Sequence, residues 1–313
     1  MVIDVVPDVD DGVSTDAAQD VDPEAVPERV GPPRPGLLAA VLAVILLVSS
    51  TALFLGVFAF GLSGLQEQRS QHELYAEFRG LLDPSSPVAP SIGGAIRPGT
   101  PVALLSVPAA GLHDVIVVEG TSPGDLLAGP GHLRDTPLPG QVGESVVLGK
   151  SATAGGPFRD IDRLRKGDVV TVRTGQGLFR YAVVGHLAPG SRPVSVPSDS
   201  GVLVLGTSAV SGDLGITANS LTYVEARLKG TAVPVPRGLP RTVPSAEIPG
   251  HWDPGAWPMA AVWLAGLALV SACTWWLWAR WGLLRTWIIG APVLLGSLWG
   301  LGNAVLHLVP NVY

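Results

Sequence analysis

The sequence has 313 residues, which allows one or two domains, and only 15% of them are charged while 47% are hydrophobic. A charged fraction this low argues against a wholly soluble protein and points to membrane segments. The formal net charge is −6, but residues 1–35 hold nine acidic residues against two arginines. The remainder, with 17 acidic and 18 basic residues, is nearly neutral. Because it has no basic stripe, nucleic acid is excluded as a partner.

The chain begins with residues 1–36, which are rich in Asp, Pro and Val. They show neither the period of a helix nor that of a strand, and they carry most of the negative charge. Such a composition cannot bury enough apolar surface to offset the entropy of ordering the chain. We therefore expect a disordered, acidic cytoplasmic tail.

Three long apolar segments are predicted transmembrane helices: residues 37–62, 256–279 and 286–309. Each is long enough to cross a bilayer core at about 1.5 Å per residue. Tryptophans cluster near the ends of the second and third segments, where their rings favour the headgroup zone. The first segment is too long for a signal peptide, so we interpret it as a retained anchor. Membrane lipid is thus a predicted partner.

Arginines predict the orientation of these helices. Arg29 and Arg34 precede the first helix, and Arg280 and Arg285 lie in the turn 280–285 between the other two. Positive charge at helix ends favours the cytoplasmic side. We therefore expect a multi-pass protein of the cell membrane, with the N-terminus and the turn inside and residues 63–255 outside.

The region between the first and second membrane segments divides into three parts. Residues 63–96 predict a helical extension followed by a Pro/Gly linker. Residues 97–230 contain many short strand-like runs separated by turns, which is typical of a barrel. Residues 231–255 are rich in proline and predict a second linker. The predicted fold class is therefore all-β, with three transmembrane helices attached.

The strand-like runs and short helical turns are predicted at specific residues. The strands are 101–107, 112–119, 145–148, 168–174, 178–184, 202–205 and 221–228, and the helical turns are 122–127 and 159–164.

Residues 131–158 carry the most informative motif. They read G-H-x-x-x-T-x-x-P-G-Q-x-G, then an apolar strand, then Gly149-Lys150 and a Gly-Pro-Phe turn. This pattern resembles the region around the catalytic histidine of sortases, most closely the actinobacterial class E type. The resemblance implies an eight-stranded barrel on the surface of a Gram-positive-type cell. Lys150 stands where that family has its histidine.

The same resemblance places the two other functional positions. Sortases attack a sorting peptide with a cysteine and pass the acyl group to an amine, while an arginine holds the peptide or the oxyanion. The run Leu203-Val-Leu-Gly-Thr207-Ser208 resembles the strand that ends in the family cysteine, which puts Ser208 at that position. The last strand puts Leu221 at the arginine position, and its alternation predicts Val224 and Ala226 in the core. Thr207 is a further candidate for the groove.

The only cysteine, Cys273, lies in the second membrane segment, where a thiol has a raised pKa and no access to a peptide. We interpret it as a packing residue. His113 and His186 lack metal-ligand spacing, so neither a metal nor another cofactor is predicted. His132 belongs to the motif and is expected to pack a loop, with a role as a displaced base as the alternative.

These positions favour a sortase-like protein with a degenerate active site, which holds an extended surface-protein peptide or assists assembly without catalysis. One alternative is an atypical hydrolase or transpeptidase that uses Ser208 with Lys150 or His132. It requires a neutral lysine, whereas a groove facing the outside is expected to be wet and to keep Lys150 charged. The other alternative is a structural membrane subunit.

Small residues in the third membrane segment, Gly296, Gly300 and Ala304, form a stripe that favours close helix contact. Asn303 and His307 share a face of the same helix. Both features predict packing among the chain's own helices, with docking of another membrane protein as the alternative.

Overall fold

A computed structural model of the chain describes residues 37–83, 94–187, 199–211, 217–240 and 242–312. The tail predicted for residues 1–36, and most of the linker that ends at residue 96, lie outside the described residues.

Eight strands form a closed barrel in the order β1-β2-β3-β4-β7-β8-β6-β5. They are β1 (Pro101–Val107), β2 (Leu112–Glu119), β3 (Gly131–His132), β4 (Gly143–Leu148), β5 (Val169–Thr174), β6 (Gly177–Leu187), β7 (Gly201–Ser211) and β8 (Thr217–Leu228). The predicted eight-stranded barrel is confirmed. Short 3-10 turns at Asp125–Leu127 and Ile161–Arg163 lie inside the two predicted helical turns.

Two features of the barrel were not predicted. The strand β3 has only two residues, too few for any alternation, and it pairs in parallel with β2 through Val118 and Gly131. The strands β7 and β8 are also longer than predicted, because their ladder continues to Ser211 and Thr217. This longer ladder carries the last part of the candidate site.

The main core fills the barrel and follows from the alternation of its strands. Val224 and Ala226 are fully buried in this core, as predicted, together with Leu203 and Leu205 from β7. Residues of opposite parity on β4 and β7 form a second apolar cluster on the outer face of the barrel, together with two residues from outside the strands. Its members are Leu126, Val146, Leu148, Val202, Val204 and Val312. Leu221 and Tyr223 pack against this outer cluster.

The helices are α1 (Leu37–Val57), α2 (Ser63–Leu82), α3 (Trp257–Trp281) and α4 (Leu283–Leu306). A π-helical turn at Phe58–Leu62 joins α1 to α2, so the predicted helical extension is present. Among the described residues, three helices are long and apolar enough to cross a membrane: 41–82, 254–280 and 285–306. Cys273 lies on α3, a helix apolar enough to cross a membrane, and its side chain is exposed on the surface of that helix.

The turn predicted at residues 280–285 is much shorter in the structure. Only Gly282 separates α3 from α4, and its φ of 82° is one that a residue with a side chain adopts at a cost. The helix α4 also ends at Leu306, three residues before the predicted end of the last segment. Because the helix ends earlier, residues 307–312 lie outside it, and Val312 contacts the barrel.

The small-residue stripe of α4 packs against the chain's own helices. A Cβ atom added to Gly300 would lie 2.5 Å from the ring of Trp263 on α3. The neighbouring Gly302 leaves similar room for Phe58, whose ring also meets Trp299 edge-on at 5.0 Å. The contact between Gly300 and Trp263 agrees with the prediction of internal helix packing.

Candidate functional site

The strands β4 and β7 bring the segment of Lys150 beside that of Ser208. They pair in parallel up to Leu148 and Gly206, and the amide of Gly149 then donates to the carbonyl of Gly206 at 3.0 Å. The hydroxyl of Thr207 donates to the carbonyl of Gly149 at 2.8 Å. Thr207 is therefore buried and ties the two strands together, rather than lining an open groove.

Ser208 and Leu221 are direct partners across the antiparallel ladder of β7 and β8. The hydroxyl of Ser208 lies 2.6 Å from that of Ser151, the residue after Lys150. The structure thus brings the predicted positions 150, 208 and 221 into one place. Leu221 contributes an apolar surface there, because it packs with the outer cluster.

A tight turn after β4 fixes the position of Lys150. Gly149 gives room to the ring of Phe158, since an added Cβ atom would lie 2.5 Å from that ring. The amide of Phe158 donates to the carbonyl of Lys150 at 3.0 Å. The Gly-Pro-Phe part of the motif therefore closes the turn over the lysine.

Lys150 is fully buried, so the expectation of a wet, charged lysine was wrong. Burial lowers the pKa of its ammonium group from 10.5 to about 7. Its Nζ atom has no hydrogen-bond partner among the described residues. The turn and the neighbouring strands exclude water from this side chain, which composition alone does not reveal.

Residues that sequence reasoning missed occupy the outer side of this site. The carbonyl oxygen of Val312 accepts hydrogen bonds from the amide of Ser208 at 3.3 Å and from its hydroxyl at 3.0 Å. The amide of Ser151 donates to the same oxygen at 3.3 Å, and its hydroxyl lies 3.5 Å away. The amides of both serines and the hydroxyl of Ser208 thus converge on one peptide carbonyl, while the Ser151 hydroxyl lies closer to the Ser208 hydroxyl. Because the third membrane helix was predicted to continue to residue 309, the residues after it were not considered for the site. Pro310 was the available signal, since proline favours the end of a helix.

His132 has a structural role in this arrangement. It is 1% exposed, and its Nδ1 atom lies 2.9 Å from a carboxylate oxygen of Glu119. Its Nε2 atom lies 3.0 Å from the carbonyl of Pro137, which can only accept, so this nitrogen carries a proton. The hydroxyl of Thr136 also lies 3.1 Å from Nε2. With both ring nitrogens engaged, His132 holds the loop of the motif.

The reactivity of Ser208 depends on which group accepts its hydroxyl proton. The Ser208 hydroxyl gives its proton to the carbonyl of Val312, and Ser151 can donate in turn to Ser208. A general base must lie within hydrogen-bond reach of the proton it removes. Among the described residues the Lys150 Nζ atom makes no such bond, and the Ser208 hydroxyl is bonded to the carbonyl of Val312 instead. Within the described residues, no group of three His, Cys, Asp or Glu residues could hold a metal ion.

Comparison with known proteins places the barrel among characterised domains. Residues 105–208 match the sequence model of the Sortase domain family. No curated protein sequence matches the chain. Solved structures that resemble it include a Sortase D5 transpeptidase from Clostridium perfringens, with 20% identity and a TM-score of 0.42. That match covers 52% of this chain and 99% of the other.

Two further solved structures are similar. The SrtF sortase from Corynebacterium diphtheriae shares 23% identity with a TM-score of 0.40, over 51% of this chain and 97% of the other. Sortase E from Streptomyces avermitilis shares 27% identity with a TM-score of 0.35, over 44% of this chain and 92% of the other. The family match lies within the closed eight-stranded barrel and includes both Lys150 and Ser208. The barrel of this chain is therefore a domain of the sortase family.

Proposed function

We propose that this protein is a membrane-anchored sortase-family member that does not catalyse transpeptidation, and that its groove holds a peptide segment at the outer face of the membrane. The observation that carries the proposal is the hydrogen bond from the Ser208 hydroxyl to a peptide carbonyl oxygen at 3.0 Å. An attacking hydroxyl gives its proton to a base and its lone pair to the carbonyl carbon. Ser208 instead gives its proton to the carbonyl oxygen, which is the geometry of binding.

Two further substitutions support a non-catalytic role. A serine hydroxyl is a far weaker nucleophile than a cysteine thiolate at neutral pH, and no described base contacts Ser208. Leu221 offers no donor at the position that the resemblance assigns to the family arginine. The loss of one such donor costs about 2.7–4 kcal/mol of transition-state stabilisation in enzymes that use an oxyanion hole.

The proposed location follows from the helices and their flanking charges. The barrel is joined through α2 to one apolar span and through residues 231–255 to a pair of others. Arg280 lies over the ring of Trp276 at 4.5 Å, beside the Gly282 break between α3 and α4. Positive charge at this break favours the cytoplasmic side, which puts the barrel outside. A cell of the Gram-positive type, with its surface proteins, fits this arrangement.

The experiment is a turnover assay. The purified full chain in detergent micelles is incubated with internally quenched sorting peptides and an amine acceptor, beside the Ser208→Ala variant. We expect no turnover by the full chain. Turnover that disappears in Ser208→Ala would contradict the proposal, whereas turnover that survives the substitution would come from a contaminant.

A second candidate is a hydrolase that uses Ser208 with Lys150. Burial favours it, because a pKa of about 7 leaves a large neutral fraction of Lys150 near neutral pH. The reaction would need the Nζ atom to move within reach of the Ser208 hydroxyl. The same assay distinguishes this candidate: its turnover would be lost in both Ser208→Ala and Lys150→Met and would rise with pH around 7.

A further inference from the structure

We propose that residues 310–312 are a ligand that the chain supplies to its own groove. Residues 307–309 separate them from α4, which ends at Leu306. The carbonyl of Val312 contacts Ser208, and Asn311 is held by residues 121 and 246–251. The assignment rests on the proposed function only in taking the groove as a surface that binds an extended peptide. It adds which segment occupies the groove, which side chains the groove selects, and that this segment controls the access of other peptides to Ser208.

Val312 supplies the first anchor. Its carbonyl oxygen accepts from the amides of Ser151 and Ser208 and from the Ser208 hydroxyl. Its side chain is 1% exposed and belongs to the outer apolar cluster. A small, branched, apolar side chain with its carbonyl turned toward the serines is therefore the chemistry that this subsite selects.

Asn311 supplies the second anchor through its carboxamide, which is fully buried. The two hydrogens of Nδ2 are shared among three carbonyl oxygens, those of Thr121 at 2.8 Å, Ile248 at 3.1 Å and Ala246 at 3.4 Å. The Oδ1 atom accepts from the amide of Gly250 at 2.8 Å. Three acceptors around one nitrogen favour an amide and reject a carboxylate, which has no hydrogen to donate.

The main chain of Asn311 is held as well, because its amide donates to the carbonyl of His251 at 2.9 Å. Pro310, one residue earlier, is exposed and lies outside both anchors. The position beside Ser208 is thus filled by a branched apolar residue, and the residue before it is held through its carboxamide by residues 121 and 246–250. An extended peptide supplied by another protein reaches Ser208 only after residues 310–312 have left.

The test measures how accessible position 208 is in the full chain. A Ser208→Cys substitution in a Cys273→Ala background leaves one thiol, and its rate of alkylation by a maleimide is measured in detergent micelles at pH 7.5. We expect slow labelling in this parent. Adding Asn311→Asp places a carboxylate against three carbonyl oxygens, and we expect labelling at least tenfold faster. Adding Pro310→Ala, the matched control on the exposed neighbour, should change the rate by less than about twofold.

A second reporter separates release of the segment from unfolding. Ser145 lies in β4, is 2% exposed and has parity with the barrel interior. A thiol placed there by Ser145→Cys, again with Cys273→Ala, should stay slow when Asn311→Asp is added. If Asn311→Asp also exposes position 145, Val312→Ala replaces it as the releasing substitution, with the same tenfold criterion at position 208.

Fast labelling of the thiol at position 208 in the parent would overturn the proposal, and so would slow labelling that neither releasing substitution accelerates. Neither result depends on turnover. A fluorescein-labelled peptide with the sequence of residues 306–312 provides an independent readout. It should bind the Asn311→Asp variant at least tenfold more tightly than the parent, because the groove is then free. Equal binding to both would also overturn it.

Discussion

Replacement of Lys150 by methionine tests the most unusual group in the barrel. Lys150 is fully buried, and its Nζ atom has no partner among the described residues. Methionine has a similar length and volume but no charge to bury, so the fold has little reason to rearrange. We expect Lys150→Met to be more stable than the parent at neutral pH and to lose a pH dependence that the parent shows.

The magnitude follows from the pKa of Lys150, which burial lowers from 10.5 to about 7. One pKa unit corresponds to about 1.4 kcal/mol, so the buried charged form costs about 5 kcal/mol. Between pH 7 and 10.5 the unfolded chain binds more protons than the folded one, so stability rises with pH in this window. From pH 7 to pH 9 the parent should gain about 2 kcal/mol from this group, and Lys150→Met should gain none.

The assay must report on the barrel rather than on the helices, because all nine tryptophans lie between residues 252 and 299. Pulse proteolysis in urea with proteinase K, on the full chain in detergent micelles, gives the unfolding midpoint of the barrel. The matched control is Lys166→Met, which removes the same charge from an exposed position. The unfolding midpoint of Lys166→Met should change with pH as that of the parent does between pH 7 and pH 9. Identical pH profiles for the parent and Lys150→Met would refute the reasoning, since they would mean that Lys150 is charged and solvated.

Three further results are expected. His132→Ala leaves the buried Glu119 carboxyl group without its ring partner, so the urea midpoint of the barrel should fall by the equivalent of about 1–3 kcal/mol, and an unchanged midpoint would contradict the structural role of His132. Gly300→Val drives a side chain into Trp263 and should destabilise the helices by about 1–3 kcal/mol in a thermal scan followed by tryptophan fluorescence, whereas Gly296→Val, with open space around it, should not. Protease added to intact protoplasts should remove residues 97–230 and spare the tail 1–36, and digestion of the tail would reverse the proposed topology.

Local pattern was sufficient for much of the barrel. The strands β1 and β2 begin and end where predicted, because turns bound their apolar runs. The alternation of side chains along β8 correctly placed Val224 in the core of the barrel and Leu221 on the opposite face of the strand. Pattern failed for β3, whose two residues are a strand only because β2 and β4 flank them.

The positions of Lys150, Ser208 and Leu221 were predicted from a resemblance, and the ladder of β7 and β8 brings the last two together. The state of Lys150 was not predictable, because a lysine is normally charged and only the assembled turn removes its water. The occupant of the groove was also hidden. The side chain of Asn311 contacts residues 61 to 190 positions earlier in the chain, and no local signal encodes such contacts.

Intact-mass analysis of the protein after incubation with sorting peptides tests the central claim most directly. The parent and the Asn311→Asp variant are incubated with peptide in excess, quenched in acid and examined for an acyl adduct on Ser208. Including Asn311→Asp ensures that a blocked groove is not mistaken for an inert one. The account predicts the unmodified mass for both proteins. An adduct of the peptide's acyl mass that maps to Ser208 and is absent in Ser208→Ala would contradict it, because Ser208 would then be a nucleophile.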